Sequence, residues 1–281
     1  MKKLFKRIAH RILDKPDYSV SIQITPVADE CLLKDCRAMI TGGSKGIGRE
    51  IAIRIVQCGG KCVITGRDKD KMAELNEIYP QIAYIQYDMR EIEGYRQLYE
   101  KAEEKLGGTV NSLVLNAGIS NHESSIIDVS YESFQEQIDI NLKANFFMLK
   151  EYGKLISVGC REDRNVLVIS SETADMPYDI PYGLTKVSLN RLIEGFSHRF
   201  YKSGCRINGI APGEVYTDME KSAGVIVDDT FGYARKNCMG RLMDPKEIAE
   251  IGVFLLSKRS MCISGEIIRC NANNHMKSYL D

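Results

Sequence analysis

The feature of this sequence that most constrains its fold is the regular alternation of short β-rich runs with longer helical segments. After residue 37, segments with apolar residues at helical spacing, such as Ile47, Ile51 and Ile55, separate the β-rich runs. Strands separated by helices predict βαβ units, and right-handed crossovers arrange such units in a parallel sheet. We therefore predict an α/β fold with a single Rossmann-type, doubly wound parallel sheet and helices on both faces. About seven strands are expected, at residues 38–41, 62–65, 83–86, 112–115, 166–169, 206–210 and 266–268.

The first 34 residues differ from the rest, so we divide the chain into an N-terminal extension, 1–34, and a Rossmann-type domain, 35–281. Residues 1–15 combine basic and apolar side chains in the pattern of a basic amphipathic helix. Such a helix either packs on its own domain or makes peripheral contact with an anionic membrane or a partner helix, and both alternatives stay open. Residues 18–25 alternate apolar and polar side chains, which predicts an added edge strand.

Charge and cysteine content argue against several classes of function. The chain has 38 Lys+Arg and 38 Asp+Glu, so its formal net charge of zero favours no nucleic-acid partner. Nine cysteines are scattered and the four histidines form no close pair, so we expect reduced thiols and no metal site. With no apolar run of about 18 residues and no leading signal block, we expect a soluble, cytoplasmic protein.

A glycine-rich turn lies between the first predicted strand and the helix that follows it. The segment 39–51 reads MITGGSKGIGREI, with Gly42, Gly46 and Gly48 after Thr41. Glycines allow a tight turn and let the backbone approach a pyrophosphate, while the helix N-terminus offers free N–H groups to it. The strand–turn–helix context therefore predicts dinucleotide binding.

The pattern TGxxxGIG, carried by Thr41, Gly42, Gly46, Ile47 and Gly48, resembles the short-chain dehydrogenase/reductase family. The chain is similar in particular to members of the 3-oxoacyl-carrier-protein reductase type. The resemblance covers about residues 33 to 269, and further family motifs follow in order. They are Asp88, Asn116-Ala117-Gly118, Asn141, the YxxxK pair Tyr182 and Lys186, Pro212-Gly213 with Thr217, and a GR…PEEIA-like stretch at 240–249.

Tyr182 and Lys186 are four residues apart, so on a helix they share one face. A free tyrosine has a pKa of about 10, but a nearby cation favours its phenolate form. A tyrosine with a lowered pKa can protonate a carbonyl oxygen or take a proton from an alcohol. The pair therefore has the composition of a proton-transfer site.

The resemblance implies a catalytic set of Asn141, Ser171, Tyr182 and Lys186. In the family, the lysine also holds the nicotinamide ribose, a serine polarises the substrate carbonyl, and the asparagine holds a water that relays protons to the lysine. We assign the serine role to Ser171, with Ser170 as the alternative.

The residues after the second predicted strand decide between the two nicotinamide cofactors. Arg67 and Lys45 would attract the 2′-phosphate of NADP, whereas Asp68, if it turned inward, would favour NAD. We predict NADP(H) over NAD(H). The predicted cofactor-binding residues are Gly42, Ser44, Lys45, Gly46, Ile47, Gly48, Arg67, Asp68, Asp88, Met89, Asn116, Ala117, Gly118, Tyr182, Lys186, Pro212, Gly213, Val215 and Thr217.

The C-terminal end departs from the family pattern. It reads Ile268-Arg269-Cys270-Asn271-Ala272-Asn273-Asn274-His275, where many relatives have a hydrophobic residue followed by Asp-Gly-Gly. This region often packs at the family's tetramer interface, so we expect a homo-oligomer but leave dimer and tetramer open. Residues 218–239 are expected to form a substrate lid.

The function predicted from the sequence is an NADP(H)-dependent oxidoreductase that transfers hydride between nicotinamide and a small carbonyl or secondary-alcohol substrate. The alternatives are an NAD-dependent alcohol dehydrogenase of the same family, a nucleotide-binding protein without catalysis, and a reductase recruited to a membrane by residues 1–15.

Overall fold

The computed structural model describes residues 29–156, 163–219 and 241–275. Its centre is a seven-stranded parallel sheet with the strand order β3-β2-β1-β4-β5-β6-β7. The chain moves outward from β1 in both directions, as in a doubly wound fold. The strands are β1 Arg37–Thr41, β2 Lys61–Gly66, β3 Ile82–Gln86, β4 Ser112–Leu115, β5 Arg164–Ile169, β6 Cys205–Pro212 and β7 Ile267–Cys270.

Helices cover both faces of this sheet, and each face has its own apolar core. One core packs α1, α2 and α7 on the sheet, and the other packs α3, α5 and α6 on the opposite face. A π-helical segment, Ile138–Lys143, joins α4 to α5. The helices are α1 Gly46–Gln57, α2 Lys69–Ile78, α3 Tyr95–Leu106, α4 Tyr131–Gln137, α5 Ala144–Leu155, α6 Pro181–Phe200 and α7 Pro245–Leu256.

The two cores arise from the period of two in a β-strand, which sends neighbouring side chains to opposite faces. On β1, Ile40 belongs to the core beneath α1 and α7, while Met39 belongs to the core beneath α3, α5 and α6. On β2, Ile64 and Val63 divide in the same way. Because both faces are covered, the central strands consist almost entirely of apolar residues.

The predicted fold class is confirmed, and each of the seven predicted strands overlaps an observed one. The ends differ by one to two residues: β5 and β6 begin earlier than predicted, at Arg164 and Cys205, and β7 begins at Ile267 rather than residue 266. The start of β5 was predicted too late because Arg164 and Asn165 interrupt the apolar pattern, although both side chains are buried.

Three sequence predictions fall partly or wholly outside the described residues: the helix at 1–15, the edge strand at 18–25 and most of the lid at 218–239. Among the helices that the structure describes, none is long and apolar enough to cross a membrane.

Candidate active site

The candidate site lies along the carboxyl edge of the sheet, where the segments that follow the parallel strands meet. The sheet order changes direction between β1 and β4, and ligands of doubly wound folds bind in the crevice outside that point. The glycine-rich turn follows β1, and the Asn116-Ala117-Gly118 segment follows β4. The topology therefore brings the two nucleotide motifs together.

The glycine-rich turn needs its glycines for both conformation and space. Gly42 and Gly46 have φ angles of 66° and 57°, in the left-handed region that favours glycine. A Cβ on Gly48 would lie 2.4 Å from Nδ2 of Asn116. That amide donates to the carbonyl oxygens of Thr41 and Gly42 at 3.1 and 2.8 Å. Asn116 therefore fixes the shape of the turn from the neighbouring strand.

The helix after this turn begins without a side-chain cap. Its N-cap residue, Lys45, is extended and makes no side-chain hydrogen bond to the first turn of α1. Helix N-terminal N–H groups without a protein partner form an anion site. Together with the glycine backbone, this end of α1 fits the pyrophosphate of a dinucleotide.

The remaining predicted residues of the turn lie around this helix end. Ser44 packs near Gly66, since its Oγ is 3.5 Å from the position of a Cβ there. Ile47 is partly buried against the core beneath α1. Lys45 Nζ lies 3.4 Å from Asp218 Oδ2 in an exposed ion pair.

At the end of β2, Arg67 and Asp68 have different surroundings. The Arg67 side chain is exposed, and its carbonyl oxygen accepts a hydrogen bond from Gln86 at 3.0 Å. Asp68 is the N-cap of α2, and its carboxylate accepts from the backbone N–H of Lys71 at 3.1 Å. The Asp68 carboxylate is therefore engaged by its own helix.

The predicted adenine-side residues follow β3. The Asp88 carboxylate accepts hydrogen bonds from the Arg90 backbone and guanidinium, and these hold the pKa of the Asp88 carboxyl below its usual range. Met89 is buried, with its sulfur 3.7 Å from the hydroxyl of Thr65.

The two serines after β5 have different partners. Ser170 Oγ donates to Asn190 Oδ1 at 2.6 Å, which directs this hydroxyl toward α6. Ser171 Oγ accepts from the backbone N–H of Thr173 at 3.2 Å, as the N-cap of a short 3-10 helix, Glu172–Asp175. The accepting role of Ser171 leaves its own hydroxyl hydrogen available for a substrate oxygen.

Tyr182 and Lys186 share one face of α6, and the Lys186 ammonium lies 5.4 Å from the centre of the Tyr182 ring. Lys186 Nζ donates to the carbonyl oxygen of Ile169, the last residue of β5, at 2.9 Å. Only 4% of Lys186 is exposed, and desolvation lowers its pKa from 10.5 to about 8. Tyr182 therefore has a buried, readily titrated amine beside it.

Asn141 is fully buried within the π-helical segment. Its side chain pairs with the backbone of Ile119 by two hydrogen bonds, each 2.8 Å long, and Nδ2 also lies 3.3 Å from Thr185 Oγ1. A Cβ on Gly118 would lie 3.3 Å from Asn141 Oδ1 and 3.6 Å from Lys186 Nζ. Gly118 thus leaves room where the segment after β4 passes the lysine.

The segment after β6 leads to the glycine-rich turn. Pro212 ends β6, and the Gly213 N–H donates to the Cys270 carbonyl at 2.9 Å. Val215 is buried and bridges to Met243. Thr217 contacts the turn, since a Cβ on Gly46 would lie 3.3 Å from its methyl group.

The structure adds two residues that the sequence analysis missed, Glu172 and Asn274. Glu172 is 8% exposed, and Nδ2 of Asn274 donates to both of its carboxylate oxygens, at 3.1 and 3.0 Å. Arg269 binds Asp175 with two hydrogen bonds, at 2.8 and 3.0 Å. The C-terminal segment therefore packs on the turn that carries Ser171. The available signal for Glu172 was an acidic residue directly after the two serines that follow β5.

The unusual C-terminal sequence keeps a glycine-like backbone. Ala272 and Asn273 have φ angles of 50° and 66°, in the left-handed region that favours glycine.

Within 29–156, 163–219 and 241–275, no three His, Cys, Asp or Glu side chains come close enough to hold a metal ion. The seven cysteines of these ranges are all free thiols.

Comparison with known proteins agrees with this arrangement. The family model described as Enoyl-(Acyl carrier protein) reductase matches residues 42–272. The uncharacterized oxidoreductase YghA of Escherichia coli (strain K12) is 27% identical over 280 residues, with 93% of each chain covered. The 3-oxoacyl-acyl-carrier-protein reductase FabG of Rickettsia conorii is 28% identical, with 83% of this chain and 94% of that protein covered.

Among solved structures, a short-chain type dehydrogenase/reductase from Mycobacterium marinum superimposes with a TM-score of 0.77. The two proteins are 22% identical, and the match covers 88% of this chain and 98% of the other. The sheet order, the family match over 42–272 and the curated relatives agree. The chain therefore belongs to the short-chain dehydrogenase/reductase family of oxidoreductases.

Proposed function

We propose that this protein is an NADP(H)-dependent oxidoreductase that interconverts a carbonyl compound and the corresponding secondary alcohol. The observation that carries the proposal is the buried Lys186 ammonium, held by the Ile169 carbonyl and 5.4 Å from the centre of the Tyr182 ring. A lysine in this position favours the phenolate form of the tyrosine and so assists proton transfer at its oxygen.

In the reducing direction, the Ser171 hydroxyl donates a hydrogen bond to the substrate carbonyl oxygen and polarises it. Tyr182 gives its phenolic proton to the same oxygen as the carbonyl carbon becomes an alcohol carbon. The nicotinamide supplies the hydride pair when bound, so each turnover consumes one reduced cofactor and one proton and yields one alcohol and one oxidised cofactor. The phenolate formed on Tyr182 is stabilised by Lys186 until it regains a proton.

Asn141 has a supporting role in this proton path, as the residue that binds a relay water. Its side chain is engaged by Ile119 and Thr185, so a relay water would bind its peptide oxygen instead. That oxygen accepts from Asn145 Nδ2 at 2.6 Å, so the water would bind beside this amide.

The preference for NADP(H) rests on charge at the ends of β1 and β2. Arg67 presents an exposed guanidinium, and Lys45 adds a second cation at the glycine-rich turn. The role of Asp68 as the cap of α2 supports the same choice, because a carboxylate bound to Lys71 N–H is less available to a ribose hydroxyl. Two cations facing a 2′-phosphate form strong charge-assisted hydrogen bonds.

Fluorescence titration with NADPH and, separately, NADH tests the cofactor. We expect tighter binding of NADPH, and in Arg67→Ala we expect the NADPH affinity to fall by about tenfold while the NADH affinity changes little. Arg96→Ala is the control, because Arg96 pairs with Glu100 on the exposed side of α3. Equal losses for both cofactors would remove Arg67 from the 2′-phosphate site, and a wild-type preference for NADH would favour the NAD-dependent alternative.

A homo-oligomer remains our prediction for the assembly. Large apolar side chains on α4, α5 and α6 are 41–75% exposed, which is typical of a surface that pairs with another chain. Light scattering on the purified protein tests this, and a monomer would contradict it. The side chains are Tyr131, Phe134, Phe146, Leu184 and Val187.

A further inference from the structure

A buried carboxylate directly follows Ser171 and has no part in the proton path described above. It belongs to Glu172, which is 8% exposed. Both of its oxygens accept from the amide of Asn274, at 3.1 and 3.0 Å, as the two oxygens of an ionised carboxylate can. A buried charge in an active site acts over several ångströms because little water screens it.

The Glu172 carboxylate is directed toward the turn after β6. Its Oε2 lies 3.1 Å from the position that a Cβ on Gly213 would occupy. Gly213 follows Pro212, and the same segment leads on to Thr217 at the glycine-rich turn. The carboxylate therefore lies against the backbone segment that connects β6 to the glycine-rich turn.

The proposed reaction requires the nicotinamide ring in this same space. A substrate oxygen bound by Ser171 and Tyr182 fixes the position of the carbonyl carbon. The reacting carbon of the cofactor must then come within about 3–3.5 Å of it. The Glu172 carboxylate lies against Gly213, on the segment that leads to Thr217 at the glycine-rich turn. A ring bound between that turn and Ser171 therefore comes near its charge.

The two redox states of the ring differ in charge, because reduced nicotinamide is neutral and oxidised nicotinamide carries one positive charge. The buried Lys186 ammonium disfavours a cationic ring. The Glu172 carboxylate opposes that effect. The nearby Asp175 carboxylate contributes less, because it is paired with the Arg269 guanidinium.

We propose that Glu172 selectively stabilises the oxidised form of the bound cofactor and so makes the reduced form a stronger hydride donor, which adapts this enzyme to carbonyl reduction. The inference rests on the proposed function, since it requires a nicotinamide cofactor between Ser171 and Gly213. It assigns a direction to the reaction and a role to a residue outside the catalytic set.

The test is to measure the Kd of NADP⁺ and of NADPH for the full-length protein by calorimetric titration, without any substrate. In Glu172→Gln, we expect the ratio of the NADP⁺ Kd to the NADPH Kd to rise about tenfold over that of the wild type. For a two-electron couple, a tenfold change in this ratio corresponds to about 30 mV in the potential of the bound cofactor. If the glutamine variant does not fold, Glu172→Ala removes the same charge without an amide against Gly213.

Two control variants separate charge from structure. Asn274→Ala removes the hydrogen-bond partner and keeps the carboxylate, so its ratio should stay within about twofold of the wild type. Asp175→Asn removes a paired carboxylate on the same turn and should also leave the ratio unchanged.

A parallel change in both Kd values, with a constant ratio, would overturn the inference and leave Glu172 as a structural residue only. If the wild-type protein bound neither cofactor form, the proposed function itself would fail. The two failures are therefore distinguishable in one data set.

Discussion

Both edges of the sheet bury positively charged side chains, but these side chains differ in how many acceptors they contact. At the amino edge, Arg206 donates to the carbonyl oxygens of Leu255, Ser257 and Ser260 at 2.9–3.3 Å. Arg164 donates to the Val110 carbonyl and lies over the Tyr152 ring. At the carboxyl edge, the Lys186 ammonium has one described hydrogen-bond acceptor, the carbonyl oxygen of Ile169.

The difference in acceptors matches a structural role for the guanidinium and a proposed role in proton transfer for the ammonium. A guanidinium with several carbonyl acceptors keeps its charge and fixes the ends of α7 and the loop after it. A buried ammonium with one acceptor has a lowered pKa and two further protons to offer. Burial alone therefore does not identify a catalytic charge. Lys186 is the candidate because its lowered pKa is combined with a position beside the Tyr182 ring.

The largest effect is expected from Tyr182→Phe, which removes the proton donor at the carboxyl edge. We expect kcat for carbonyl reduction to fall by about a thousandfold, because no other group replaces the phenol in proton transfer. The NADPH affinity should change less than twofold. Steady-state kinetics and titration measure both, with Tyr201→Phe, at the far end of α6, as the control. Substantial residual turnover would remove Tyr182 from the role of acid.

At the amino edge, Arg206→Met should affect stability instead of chemistry. The substitution removes the buried guanidinium and its hydrogen bonds to the carbonyl oxygens of Leu255, Ser257 and Ser260, at a cost of about 3 kcal/mol in the free energy of unfolding. We expect kcat/KM of the folded variant to stay near the wild-type value. Urea unfolding measures the first quantity, with Arg96→Ala as a surface control. A loss of activity in folded Arg206→Met would contradict the assignment of a purely structural role to Arg206.

The pH dependence of the free energy of unfolding tests the lowered pKa of Lys186 at the carboxyl edge. The pKa of Lys186 is about 8 in the folded protein, below its ordinary value of 10.5, so between these values the unfolded chain binds more protons. Raising the pH from 7 to 10 should therefore stabilise the wild type, by about 2 kcal/mol relative to Lys186→Met. Urea unfolding of both proteins at several pH values measures this. A constant difference between them would mean that Lys186 titrates normally.

The smallest effect is expected from Ala272→Gly in the C-terminal segment. Alanine at a φ of 50° is strained by about 1 kcal/mol, and glycine relieves the strain while adding freedom to the unfolded chain. We expect a net gain of about 0.5 kcal/mol in stability. A small rise in Tm by calorimetry checks it, whereas a lower Tm would show that the alanine methyl contributes more by packing than the strain costs.

The fold followed from the sequence because its signal is repeated along the chain. Every strand contains apolar residues, and helical segments with apolar residues at helical spacing separate most consecutive strands. The strand ends were harder to predict: Arg164 and Asn165 are polar yet lie within β5, where backbone carbonyls of distant segments accept their hydrogen bonds.

The nucleotide turn and the Tyr182–Lys186 pair were predictable because their spacing is local. Glu172 and Asn274 were not, since the contact between them joins residues 102 positions apart. Such a pair has no periodic signature, and it becomes visible only when β5, β6 and β7 are aligned in the sheet. The choice of Ser171 over Ser170 also depends on tertiary partners, because the two hydroxyls are chemically identical in the sequence.

The position of β1 has a consequence for how this protein folds. β1 pairs with β2, about 24 residues away, and also with β4, where Ala38 lies opposite Ser112, 74 residues along the chain. The pairing of β1 with β2 is the more local and has the lower loop-closure cost, whereas joining β1 to β4 requires a long loop to close. Asn116 reaches the glycine-rich turn only across that second junction. Recovery of dinucleotide binding during refolding should therefore report the docking of the two halves of the sheet.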